Sequence, residues 1–157
     1  MLFRSPYCFE PAIAPHIAAK RAGVAISAEK IVAAFDALAS TFDMVVVEGA
    51  GGFCIPLGDE LDSAGLADRL GLPVILVVGL RLGCLNHALL TAQAVSRCGL
   101  ALAGWVANHI DPDMEAVEEN ISSIERRLGA PLLARWHYAP SAQLEIPSVE
   151  LILGKSA

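Results

Sequence analysis

The stretch Phe42-Asp43-Met44-Val45-Val46-Val47-Glu48-Gly49-Ala50-Gly51-Gly52 constrains the chain more than any other. The unbroken apolar run Met44–Val47 predicts a strand buried on both faces, as in a parallel sheet. It ends at a carboxylate, Glu48, and three glycines follow within four residues. In open α/β sheets, ligands gather at the carboxyl ends of such strands. A carboxylate placed there can hold Mg²⁺ directly or through water. Glycines let backbone N–H groups approach an anion closely. The plainer reading is a tight turn after a strand, but the coincidence of charge and glycines at a strand end favours a ligand site. A dinucleotide fingerprint is excluded, because its third glycine falls on Cys54 and Pro56 follows in what reads as an extended loop.

At 157 residues the chain is expected to form one domain spanning 1–157, with a sizeable core. The apolar share of 55% suits a central sheet covered on both faces. No apolar run is long enough for a bilayer helix, so no membrane partner is expected. Lys and Arg number 11 against 17 Asp and Glu, for a net charge of −6 without a basic stripe, which argues against nucleic acid. Cys8, Cys54, Cys84 and Cys98 form no C-x-x-C pair and read as free, mostly core thiols of a reducing cytoplasm.

Taken in order, Ser5 to Pro11 reads as extended and Ala12 to Ala22 as helical, with Pro15 in the first turn and His16 exposed. Ser27 caps a helix to about Ala39. Leu61 to Leu70 is a short helix closed by Gly71. Pro73 to Gly79 is a second fully buried strand, followed by a helix with Leu85, Ala88, Leu89, Ala92 and Val95 on one face. Leu102 to Ala107 is a third strand ending at Asn108-His109. Asp111 or Asp113 starts a helix striped by Met114, Val117, Ile121, Ile124 and Leu128, and Leu132-Leu133 starts a fourth strand. The alternation is that of a doubly wound α/β fold, whose active-site rim is the carboxyl edge of the sheet.

Other signals carry less. Gly154-Lys155-Ser156 lacks the first glycine of a phosphate loop, since position 149 is Val149. His16, His87, His109 and His137 lack metal-ligand spacing. No G-x-S-x-G elbow occurs. Asn108 at a strand end can pair with the donor and acceptor edge of adenine, or serve a turn equally well. Asn86 reads as a helix cap.

The blocks Val47 to Gly52, Leu72 to Gly79, Leu82-Gly83-Cys84-Leu85-Asn86-His87, Leu89 to Gln93 and Leu102 to Asn108 resemble the dethiobiotin synthetase family. Pro6-Tyr7, Phe9, Pro11 and Pro15-His16 also fit. The resemblance implies a homodimeric α/β protein of the P-loop NTPase-like type. It implies an ATP- and Mg²⁺-dependent ligase that joins CO₂ (or bicarbonate) to 7,8-diaminopelargonate, closing the ureido ring in biotin synthesis. Glu48 resembles the family's Mg²⁺ ligand, and Gly49, Ala50 and Gly51 its nucleotide contacts. Asn108, with His109 beside it, resembles the adenine-reading position. Leu82, Gly83, Cys84 and Asn86 resemble the turn that meets the substrate carboxylate across the dimer interface; a helix N-terminus suits such a group.

The departures are equally specific. The family's phosphate loop, catalytic lysine, substrate-binding serine and second acidic metal ligand have no counterpart here, so no catalytic residue is assigned. On the resemblance, the chain is the C-terminal two-thirds of the enzyme, a truncated frame or fragment inactive alone. Arg135-Trp136-His137-Tyr138 replaces a Glu-Ile-Pro-Trp-like turn near the adenine site. The alternatives are a noncatalytic ligand-binding or dimer-forming relative, and a related amide-forming ligase, such as one acting on a corrinoid.

Overall fold

The computed structural model of the chain describes residues 5–138. The Gly154-Lys155-Ser156 segment and the tail after Pro140 lie outside the described residues. The chain divides into two compact units between Leu72 and Pro73.

The first unit is helical. Helix α1 spans Pro15–Arg21, α2 Ala28–Ala39 and α3 Ser63–Leu70. Pro15 sits in the first turn of α1, where its missing N–H costs nothing. The Ser27 hydroxyl caps α2 by accepting from the Lys30 N–H at 3.2 Å. The Ser27 N–H in turn donates to the Tyr7 hydroxyl at 2.9 Å, and the Lys30 ammonium lies 4.5 Å above the Tyr7 ring. Asp62 caps α3 through the Gly65 N–H at 2.7 Å. Gly71 ends it at φ 62°, a conformation that favours glycine. Arg69 of α3 pairs with Glu29 of α2 at 2.7 Å. The Glu29 carboxyl is lowered to about 2 by its own backbone N–H, then by the Ser27 hydroxyl and Arg69, so the pair stays charged across the neutral range.

Met44–Val47 departs from expectation. The run forms no strand and joins no ladder, and Val46 is 82% exposed. A strand needs a neighbour to take its backbone hydrogen bonds. Among the described residues of this unit the only bridge is Pro56 to Asp62, far along the chain. The cysteines also differ: Cys8 and Cys54 are exposed, Cys98 is half-buried, and only Cys84 is in a core.

The second unit is a parallel α/β sheet. Strands β1 (Val74–Leu80), β2 (Leu102–His109) and β3 (Leu132–Trp136) pair in the order β1-β2-β3. Helices α4 (Cys84–Arg97) and α5 (Val117–Leu128) are the crossovers. Their stripes, Cys84 and Ala88 with Ile121 and Ile124, pack on Val78, Leu80, Trp105 and Ala107, alternate positions that share one sheet face. The other face of β1 is open, with Ile75 45% and Val77 52% exposed. β1 is therefore buried on one face only, not two. Helix α5 also starts later than expected. Asp111 spends its carboxylate on the Asp113 N–H at 3.1 Å, and the helix begins only after Ala116, in the left-handed region at φ 54°.

One close approach fixes the β2–β3 register. Trp105 pairs with Leu132 and Val106 with Ala134, so Leu133 is the extra residue of a bulge. Its side chain fills the space over Gly104, where an added Cβ would lie 2.5–2.9 Å from three Leu133 carbons. Gly104→Ala should cost about 1–3 kcal/mol in urea unfolding, read by the fluorescence of Trp105. Gly79→Ala should cost clearly less, because its one short contact, at 2.7 Å, is the flexible δ-methyl of half-exposed Ile110. Equal losses at the two positions would contradict the bulge as the cause.

Candidate functional site

The carboxyl edge of the sheet collects several of the expected residues. Gly79 of β1 and Trp136 of β3 flank Asn108 in register, and Leu80 lies opposite His109. The turn Arg81-Leu82-Gly83 leads from this edge into α4. Gly83 occupies the cap position at φ 95°, and no side chain caps the helix. Asn86 is therefore not a cap; it lies, exposed, inside the first turn. The Cys84 N–H donates to the Arg81 carbonyl at 3.0 Å and that of His87 to Gly83 at 3.2 Å. The N–H groups of Leu85 and Asn86 have no carbonyl partner among the described residues. The open positive end of a 14-residue helix suits a carboxylate or phosphate. Leu82 is 97% exposed, whereas the Cys84 side chain is buried.

Beside this turn is a cavity of about 260 Å³, lined by Leu82, Asp111, Asp113, Met114, Glu115 and Asn120. The Nε2 of His109 and the Nε1 of Trp136 are shielded from solvent without a hydrogen-bond partner among the described residues. Arg135 is held by Glu118 at 2.8 Å. Sequence reasoning missed Asn120: a lone Asn in the polar first turns of an amphipathic helix carries no motif. Asp111 was visible only as a helix start.

Glu48, Gly49, Ala50 and Gly51 belong to the first unit, in one irregular, exposed segment. Just beyond it, the Ser63 hydroxyl accepts from the Ile55 N–H at 2.8 Å and donates to the Phe53 carbonyl at 2.6 Å, which anchors the glycine-rich loop to α3. The Asp59–Asp62 turn that follows lines an open depression of about 250 Å³. Among the described residues no three His, Cys, Asp or Glu side chains converge as a metal cage. A lone exposed carboxylate fits a cation such as Mg²⁺, which keeps water and substrate phosphates in most of its shell. His16 is half-buried rather than exposed, and its Nδ1 has no partner among the described residues.

Comparison with known proteins places these features in a family. Residues 1–144 match the family described as an AAA domain. The ATP-dependent dethiobiotin synthetase BioD of Aromatoleum aromaticum is 57% identical over 82% of this chain and 57% of its own length. That of Nitrosospira multiformis gives the same figures. That of Pseudomonas paraeruginosa is 54% identical over 83% of this chain and 58% of its own length. The chain thus spans a little over half the length of these curated relatives. No described helix is long and apolar enough to cross a membrane. With a parallel sheet flanked by helices and a match over nearly the whole sequence, the chain belongs to the AAA domain family, and the relatives it resembles are dethiobiotin synthetases.

Proposed function

We propose that residues 1–157 serve an ATP-dependent dethiobiotin synthetase acting in the cytoplasm, where the exposed thiols of Cys8 and Cys54 stay reduced. The identity of 54–57% to relatives so named carries this reading. One amine of 7,8-diaminopelargonate adds to CO₂ and loses a proton, giving a carbamate. A carbamate oxygen takes the γ-phosphoryl group of ATP, and ADP leaves. The second amine attacks the activated carbonyl, phosphate departs, and the ureido ring is closed.

Within this scheme the chain mainly binds and orients. The carboxylate of Glu48 would hold Mg²⁺, which neutralises phosphate charge when bound. Backbone amides of Gly49, Ala50 and Gly51 approach the nucleotide. The Asn108 carboxamide reads the adenine edge, with His109 next to it. Gly83 and the first-turn amides of α4 receive the substrate carboxylate, helped by Asn86. Cys84 acts from beneath, since its thiol is buried and its N–H is engaged by Arg81. Exposed Leu82 suits a two-fold contact in which each copy completes the other's site.

The test uses the chain completed with the part of the Aromatoleum relative that it does not match. With ATP, Mg²⁺, diamine and ¹³C-bicarbonate, mass spectrometry should find dethiobiotin labelled at the ureido carbon, and sedimentation should show a dimer. ATP binding without product would support the noncatalytic alternative. A monomer that turns over would overturn the shared site.

A further inference from the structure

We propose that Asn120 is a positioning residue that holds the Leu82–Asn86 turn in its working place; this rests on the reading that the turn receives substrate. Both ends of its carboxamide are engaged. Nδ2 donates to the Ala116 carbonyl at 2.8 Å. Oδ1 accepts from the Cys84 thiol at 3.9 Å. The Asn120 backbone N–H donates to the same Ala116 carbonyl at 3.0 Å. One side chain thus joins the start of α4, the start of α5 and the end of the loop that follows Asn108-His109.

The two links differ in kind. Ala116 is the one non-glycine residue at positive φ among the described residues, a conformation that strains any residue with a Cβ. The doubled bonds to its carbonyl hold it there. The thiol bond is individually weak. Cys84 is only 2% exposed, however, so water does not compete for it. Cys84 is the first residue of α4, and its N–H is tied to Arg81, so fixing its side chain fixes the turn. Asn120 also lines the cavity, together with Leu82, Asp111, Asp113, Met114 and Glu115. Only Asn meets both demands at this length: Asp has no donor for Ala116, and Ala offers neither group.

The test has two readouts. In the 157-residue chain, iodoacetamide labelling resolved by peptide mass spectrometry should show Cys84 reacting about threefold faster in Asn120→Ala, the lower end of what one lost hydrogen bond gives. Half-buried Cys98 is the internal control and should not change. Adding Ala116→Gly relieves the backbone strain and should leave Cys84 unprotected if the thiol bond is what matters. In the completed protein, Asn120→Ala should raise KM for 7,8-diaminopelargonate while KM for ATP and kcat hold. Unchanged Cys84 labelling, parallel rises at Cys84 and Cys98, or equal rises in both KM values would overturn the proposal. If the completed wild-type protein does not turn over the diamine, the substrate reading fails, and Cys84 labelling alone decides whether Asn120 holds the turn.

Discussion

Purified residues 1–157, given ATP, Mg²⁺, bicarbonate and 7,8-diaminopelargonate, are expected to yield no dethiobiotin above a no-protein control. Phosphoryl transfer rests on positioning and on neutralising phosphate charge. The sequence holds no G-x-x-x-x-G-K-[ST] segment to cradle phosphates. Its lysines are Lys20, Lys30 and Lys155. Lys20 lies in the last turn of α1, Lys30 lies over the Tyr7 ring, and Lys155 is outside the described residues. Each missing transition-state contact costs roughly a hundredfold, so losing the cradle and its cation together lowers the rate by about 10⁴ or more. Mass spectrometry of the reaction decides the matter. Product at a rate near that of ordinary enzymes would show that the 157 residues suffice and that the assigned site is misplaced.

In the completed protein, Glu48→Gln is expected to lower Mg²⁺-dependent turnover by about a hundredfold or more. The melting temperature should stay within about 2 °C, the usual outcome for an exposed polar substitution. Gln keeps the size and removes the charge that a hard cation requires. Glu48 is exposed and follows exposed Val46 and Val47, so the fold gains little from it. Paired activity and thermal-melt measurements separate the two roles. An equally active variant would remove Glu48 from the metal site. A fall in melting temperature matching the activity loss would make it structural.

The fold was readable where a local rule and the tertiary structure agree. Ser27, Gly71 and the apolar stripe of α5 marked their helices through caps and periodicity. The β2 strand stood out because its middle, Gly104 to Ala107, is buried without a break. Met44–Val47 was misread because an apolar run records only a wish for burial, while a strand also needs a partner that the run itself cannot reveal. The same limit hid the open face of β1, where Ile75 and Val77 look as core-like in sequence as Val78 does. Asp111 carried a true capping signal but spent it on a turn. Of the candidate site, Asn108 and Gly83 were legible because strand ends and glycines are. Asn120 was not, since its partners, Ala116 and Cys84, come from four and thirty-six positions away.

The strand order β1-β2-β3 bears on how the second unit comes together in time. Chain order and spatial order coincide, so each strand docks on the edge left by its predecessor. No strand has to pry apart two that have already paired. Each crossover closes a loop of moderate length, which keeps the search short by the standards of parallel sheets. Growth can therefore follow synthesis from the ribosome, with β1 waiting only for β2, and β2 only for β3. The outer side of β1 is available from the first moment and is covered by none of these steps. It is the edge at which a nascent chain is most exposed to pairing with the wrong neighbour.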